Sequence, residues 1–302
     1  MINNLKQKLP VDVINSYETL KSLRNSKLEW RYKFMSDADY SKIQEVEYAA
    51  SIYWSEMLLR IHIIILISSF KTLRWIEAMD NNHYNYYGFC SSFRGLIESI
   101  ADTFYTLRNI PLTIAVDFHV IKKQINESSN VLTTHNNLES ELIHYIQATK
   151  IDKSQKDNYP ANFHSKQIKE YLDSIDDPDN NLTNLYSYLC GISHPAFESN
   201  QIFMFSDDED TIVCSDSFGL ETKLIEVVIE ENSKTVSNLF HSYMNNLIST
   251  MLVLNEFNID KIYLNISNEK DFKKNEIWKE INEHMIASEL KYKNSLRLGK
   301  YD

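Results

Sequence analysis

Glycine and proline are scarce in this chain, with five of each among 302 residues. So few positions free to adopt positive φ cannot supply the turns of a sandwich or barrel, or the glycine-rich loops that cradle phosphates. Multi-turn β folds and Rossmann-type sites are excluded on that ground. Cysteine is rarer still. Cys90, Cys190 and Cys214 are widely spaced and odd in number, so they frame neither a disulfide scaffold nor a Cys-x-x-Cys zinc site, and a reducing cytoplasm is the expected compartment. Positive charge is also in deficit: 31 basic against 42 acidic side chains give a formal charge of −11, which argues against a general polyanion-binding surface. Long apolar runs are missing, since the longest, 61–67, is interrupted by His62 and is too short to cross a bilayer. No membrane partner is expected, and the polar residues 1–8 do not read as a secretory signal. Without such a signal the Asn-x-Ser/Thr matches at Asn126, Asn181 and Asn265 carry no weight.

What is present is a chain 43% hydrophobic and 12% aromatic, enough to bury roughly three quarters of its unfolded surface. Apolar positions recur at steps of three and four, which predicts an all-α fold, a multi-helix bundle with one small β-hairpin at about 202–214. The expected helices cover 11 to about 35, 39–79, 84–108, 112–127, 181–193 and 220–257, with shorter pieces near 138–149 and 165–175. The second is apolar nearly all round and belongs in the middle of a bundle. A single domain over 1–302 is expected, elaborated by a polar, Asn-rich, mobile insertion at about 128–162. A charged last helix at about 271–296 reads as a solvated cap or a partner-facing arm.

Several acidic groupings suggest metal and fail on spacing. Asp177-Pro-Asp179-Asn-Asn181 begins like a calcium loop, but Leu182 stands where the turn needs glycine and Tyr188 where the bidentate Glu belongs. Residues 207–210 superficially resemble an aspartate-rich metal motif, yet fall in the expected hairpin turn with no second motif on a later helix. A di-iron bundle needs two Glu-x-x-His pairs, and only Glu141-x-x-His144 is present; in the polar insertion it reads as a surface Glu beside a surface His. No metal and no cofactor is expected. His62, in the most apolar helix, reads as a core imidazole.

Two segments carry more. In the helix around Phe93-Arg94-Gly95-Leu96-Ile97-Glu98, Arg94 and Glu98 stand one turn apart at the border of an apolar face made by Phe93, Ile97, Ile100 and Phe104. In Tyr186-Ser-Tyr-Leu-Cys190-Gly-Ile-Ser193-His194-Pro195, Tyr186, Cys190 and Ser193 share a stripe, and His194 ends the helix before a proline that forbids its continuation. Read locally, Arg94–Glu98 is an ion pair and His194 a helix cap.

Together these segments resemble a family of bacterial all-helical proteins that is similar in outline to the HEPN superfamily of toxin and phage-defence ribonucleases. The likeness covers about 84–257 in order of elements and rests on Arg-x-x-x-Glu followed by Tyr-x-x-Leu-(Ser/Cys)-x-x-x-His-Pro. The usual superfamily signature puts Arg and His four to six residues apart on one helix; here a hundred residues separate them. The resemblance implies metal-independent RNA cleavage through attack of a ribose 2′-hydroxyl. His194 would move the proton, Arg94 would hold the phosphoryl charge, Glu98 would orient Arg94, and Tyr186 would position a phosphate or ribose. It implies RNA and a partner protein or antitoxin as partners, and two long apolar helices suggest a homo-oligomer. The alternative is a non-catalytic binding or regulatory module that recognises a small ligand or a partner protein.

Overall fold

Helical spacing with so little glycine or proline to interrupt it yields helices almost throughout the computed structural model of the chain. It describes residues 3–26, 29–126, 129–175, 178–206, 212–214, 219–257, 272 and 274–297. In order the helices are α1 (Val11–Ser26), α2 (Asp37–Tyr40), α3 (Val46–Asn81), α4 (Tyr86–Leu107), α5 (Ile110–Val116), α6 (Phe118–Ile125) and α7 (Asn136–Gln147). They continue with α8 (Ile168–Leu172), α9 (Asn181–Ser193), α10 (Phe197–Gln201), α11 (Glu221–Glu231), α12 (Ser233–Asn255) and α13 (Glu276–Arg297). Of the expected hairpin, residues 207–211 lie outside the described residues. The flanking segments Met204–Ser206 and Ile212–Cys214 lie in antiparallel register, Phe205 opposite Val213. Three residues a side make no sheet layer, and the fold is all-α.

Contacts divide the chain into two units. The first comprises Met1–Lys21, Ser68–Phe104 and Gln167–Tyr243; the second comprises Ser22–Ile67, Tyr105–Lys166 and Met244–Asp302. The core of the first is built from Tyr17 and Leu20, Leu73 and Ile76, and the α4 stripe Phe89, Phe93, Ile97 and Ile100, all at 2% exposure or less. That stripe is the i, i+4, i+8 apolar face legible in the sequence. The core of the second gathers Trp54, Leu58 and Ile61 with Ile114, Ile121 and Leu247. Each such side chain contributes about 1.5–3 kcal/mol when buried. α3 is long and apolar enough to cross a membrane by length and composition alone, but 56% of its most apolar window is buried within the protein.

Three expected helices are broken where side chains, not glycine or proline, redirect the backbone. The expected 39–79 helix begins at Val46 instead. Ser36 accepts from the Asp39 N–H to cap the one-turn α2, and the Tyr40 hydroxyl donates to the Ala49 carbonyl, folding that turn back on α3. The 112–127 helix splits at Asp117, whose carboxylate is held 2.8 Å from His135 Nε2. The 220–257 helix splits at Asn232, where Nδ2 donates to the Val228 carbonyl, a local competitor for helical hydrogen bonds. The first helix ends at Ser26, not near 35.

Gly95 sets the packing of α4. A Cβ there would stand 2.6 Å from Trp75 Cζ2, too close for any real contact. Gly95→Ala is therefore expected to destabilise the fold by about 1–3 kcal/mol in urea unfolding, outweighing the ~1 kcal/mol helix-propensity gain. An unchanged midpoint would mean that the Trp75 ring simply moves aside.

Candidate functional site

Pro195 disfavours helical backbone at the residue before it, and His194 accordingly closes α9 in extended conformation, φ −111° and ψ 160°. Its N–H still donates to the Cys190 carbonyl, so the imidazole is anchored at the helix end but turned out of the helix. Within the same unit it meets α4. Arg94 Nη1 donates to His194 Nε2 at 3.0 Å. Because a guanidinium only donates, this contact makes Nε2 the acceptor, the tautomer that carries its proton on Nδ1.

The other two residues complete a chain. Arg94 Nε lies 3.4 Å from Glu98 Oε1, an ion pair by distance that lacks hydrogen-bond alignment, and this buried Nε has no hydrogen-bond partner among the described residues. The Tyr186 hydroxyl donates to the same Glu98 oxygen at 2.8 Å. All four sequence-selected residues thus stand in one line, Tyr186 to Glu98 to Arg94 to His194. His194 is exposed, Tyr186 is partly buried, and the Arg94 side chain is a quarter exposed. Burial, followed by the bond to Glu98, raises the Tyr186 phenol well above its ordinary value, so it acts as a fixed donor.

Side chains not singled out from the sequence surround this line. Tyr86 and Tyr188 join hydroxyl to hydroxyl, Ser91 Oγ donates to Ser193 Oγ at 3.4 Å, and Tyr87 donates to the Ser199 carbonyl. Burial pushes the Cys90 thiol up to about 12, so Cys90 is a neutral packing residue and no nucleophile. Tyr86 and Tyr188 sit on the same two helices as the selected residues, but no spacing rule pairs positions 102 residues apart. Phe197, three residues past His194, is 67% exposed.

One turn beyond Glu98, burial holds the Asp102 carboxyl above its usual 3.8, and Lys71 at 3.6 Å offsets this only in part. The fold therefore favours the protonated acid. Its ionisation penalty is absent below the unfolded value, where both states are protonated, and grows as pH rises through the folded value. Asp102→Asn is expected to match or exceed the stability of the parent in urea unfolding at pH 7. That advantage should vanish in urea titrations below pH 3.8.

His62 is 1% exposed, hydrogen-bonded through Nδ1 to Tyr32 and ringed edge-on by Trp30 and Tyr32, which is the core role expected. The surface reading of Glu141 and His144 is corrected. His144 is 5% exposed with Nδ1 on the Asn162 carbonyl, and burial raises the Glu141 carboxyl. The loop after α7 folds back over that face and covers it, which helical spacing alone could not show. Among the described residues no three His, Cys, Asp or Glu side chains group as metal ligands.

No protein-family model, curated protein or solved structure matches this chain. The chemistry of the site is therefore read from its own geometry.

Proposed function

We propose that the first unit is a HEPN-like, metal-independent ribonuclease site of a bacterial toxin or phage-defence protein. The observation that carries this reading is the contact between a partly exposed guanidinium and an exposed imidazole whose backbone Pro195 holds extended. A phosphodiester is a stronger acceptor for a guanidinium than a neutral imidazole is. Bound phosphate draws Arg94 onto its oxygens and frees His194 Nε2 to take the proton of the neighbouring 2′-hydroxyl as its oxygen bonds to phosphorus. The P–O5′ bond breaks, and the departing 5′-oxygen takes a proton from water. Arg94 then faces the charge that develops on the phosphoryl oxygens, steadied through Glu98 by Tyr186. Incubation with single-stranded RNA in the presence of a chelator tests the reading. The expected products carry 2′,3′-cyclic phosphate and 5′-hydroxyl ends, and intact RNA at every protein concentration would overturn it.

Self-association belongs to the same reading. Ile286 and Leu290, one turn apart on α13, are 51% and 53% exposed, an apolar pair that a second copy would cover. Residues 204–206 and 212–214 are read as the two arms of a hairpin. The net charge of −11 favours one competing reading, a non-catalytic module for a small ligand or partner protein. Thermal stabilisation by a nucleotide or a co-expressed partner, with no turnover, would decide for it.

A further inference from the structure

The second unit holds a cavity of about 240 Å³ whose lining includes Tyr105, Ser140, Glu141, His144, Asn162 and Lys166. Its walls follow from the chain. Ser140, Glu141 and His144 fall on one face of α7. The stretch after α7 returns across that face because Thr149 pairs with both Phe163 and Ser165 through its backbone. The His144–Asn162 hydrogen bond, 3.1 Å and nearly sealed from solvent on the imidazole side, pins the two walls together.

One cation lines this cavity and a second stands beside it. Lys166 Nζ donates to the Tyr105 hydroxyl at 2.7 Å and lies 4.2 Å over its ring, while the Arg108 guanidinium lies 4.3 Å from the same ring. Two cations thus share one aromatic ring in a chain of net charge −11. Neither has a carboxylate within ion-pair distance among the described residues, although Glu141 attracts both. Glu141 is the only carboxylate in the lining, and burial disfavours its charge. One carboxyl and one imidazole are too few ligands to hold a divalent cation. Two cations face a single carboxylate, so a small anion would balance the positive charge that Glu141 does not.

We propose that this cavity binds a small oxyanion, a carboxylate or phosphate on a molecule of few heavy atoms, with Lys166 Nζ as its charged contact and Ser140 as a hydroxyl donor. The volume is below the roughly 300–1,000 Å³ of ordinary ligand pockets, which limits the ligand's size. The proposal concerns a different unit from Arg94 and His194 and stands apart from the ribonuclease reading.

Calorimetry and thermal melting of the full chain with sodium phosphate and with sodium acetate, against sodium chloride of equal ionic strength, test it. The expected result is saturable binding and stabilisation by at least one of the two oxyanions, the tighter identifying the group preferred. Lys166→Met should weaken that binding at least about tenfold and Lys166→Arg by only a few-fold. Should Lys166→Met lower the ligand-free melting temperature, Ser140→Ala at its exposed position takes its place, with an expected loss of a few-fold. No saturable effect beyond chloride, undiminished binding by the substituted protein, or stabilisation by magnesium chloride in place of the oxyanions would overturn the proposal.

Discussion

Replacing Arg94 or His194 by Ala is expected to reduce RNA cleavage by about 10²–10⁴-fold, the range that a proton-transfer group or a pre-positioned cation supplies. The fold should survive both changes. Arg94–Glu98 is a partly exposed pair one helical turn apart, worth roughly 0.3–0.5 kcal/mol, and His194 is exposed at a helix end. A large loss of activity with an unchanged urea midpoint therefore separates chemistry from stability. Arg94→Lys should not rescue, because a single ammonium cannot stand beside Glu98 and donate to His194 at once as the broad guanidinium does. Tyr186→Phe removes the donor to Glu98 and should lower kcat by a few-fold with little change in KM, as expected of a residue that positions Arg94. Undiminished cleavage in both alanine variants would end the ribonuclease reading while leaving the oxyanion cavity of the second unit untouched.

The largest stability effect is expected at Asp80. It stands in the last turn of α3, where the helix dipole disfavours a carboxylate, yet it is 4% exposed. Its partners explain it. Oδ1 accepts from the backbone N–H groups of Asn4 and Leu5 at 2.9 and 2.8 Å, and Oδ2 from the N–H of Asn3 at 3.1 Å and the side chain of Asn4 at 3.2 Å. This clamp seats Leu5, fully buried, in the core of the first unit. Asp80→Ala leaves three backbone donors without their acceptor and should lower unfolding free energy by about 3–5 kcal/mol. Asp80→Asn keeps one acceptor and should lose about half as much. Urea unfolding followed by tryptophan fluorescence measures both, and a change below about 1 kcal/mol for Asp80→Ala would show that the clamp is incidental.

Much of the helical layout is legible in the residues because periodicity is a local property. α4 and α9 lie within two residues of their expected bounds, and the scarcity of glycine and proline limits the chain to helices. The breaks at Asp117 and Asn232 were not legible, since a break made by a hydrogen bond leaves no mark in composition. The same holds for Asp80, which reads as part of a helix-ending Asp-Asn-Asn-His run but acts as an anchor for residues 3–5. At the candidate site, the residue types and their places on two helices could be read in advance, as could the end of the helix at His194 before Pro195. Tyr86, Tyr188 and Ser91 could not, because helical spacing says which face a side chain occupies and nothing about what stands opposite.

The sequence by itself determined an acidic, all-α protein with a charged pair on one helix and a histidine terminating another, since these follow from φ/ψ restriction and the 3.6-residue repeat. Only the tertiary structure decided that Arg94 donates to His194 at 3.0 Å, and that Lys166 and Arg108 converge on Tyr105. Contacts across 100 and 61 residues depend on how whole helices and the returning loop pack, and packing answers to volume and buried area summed over each unit, not to the pattern of any one segment.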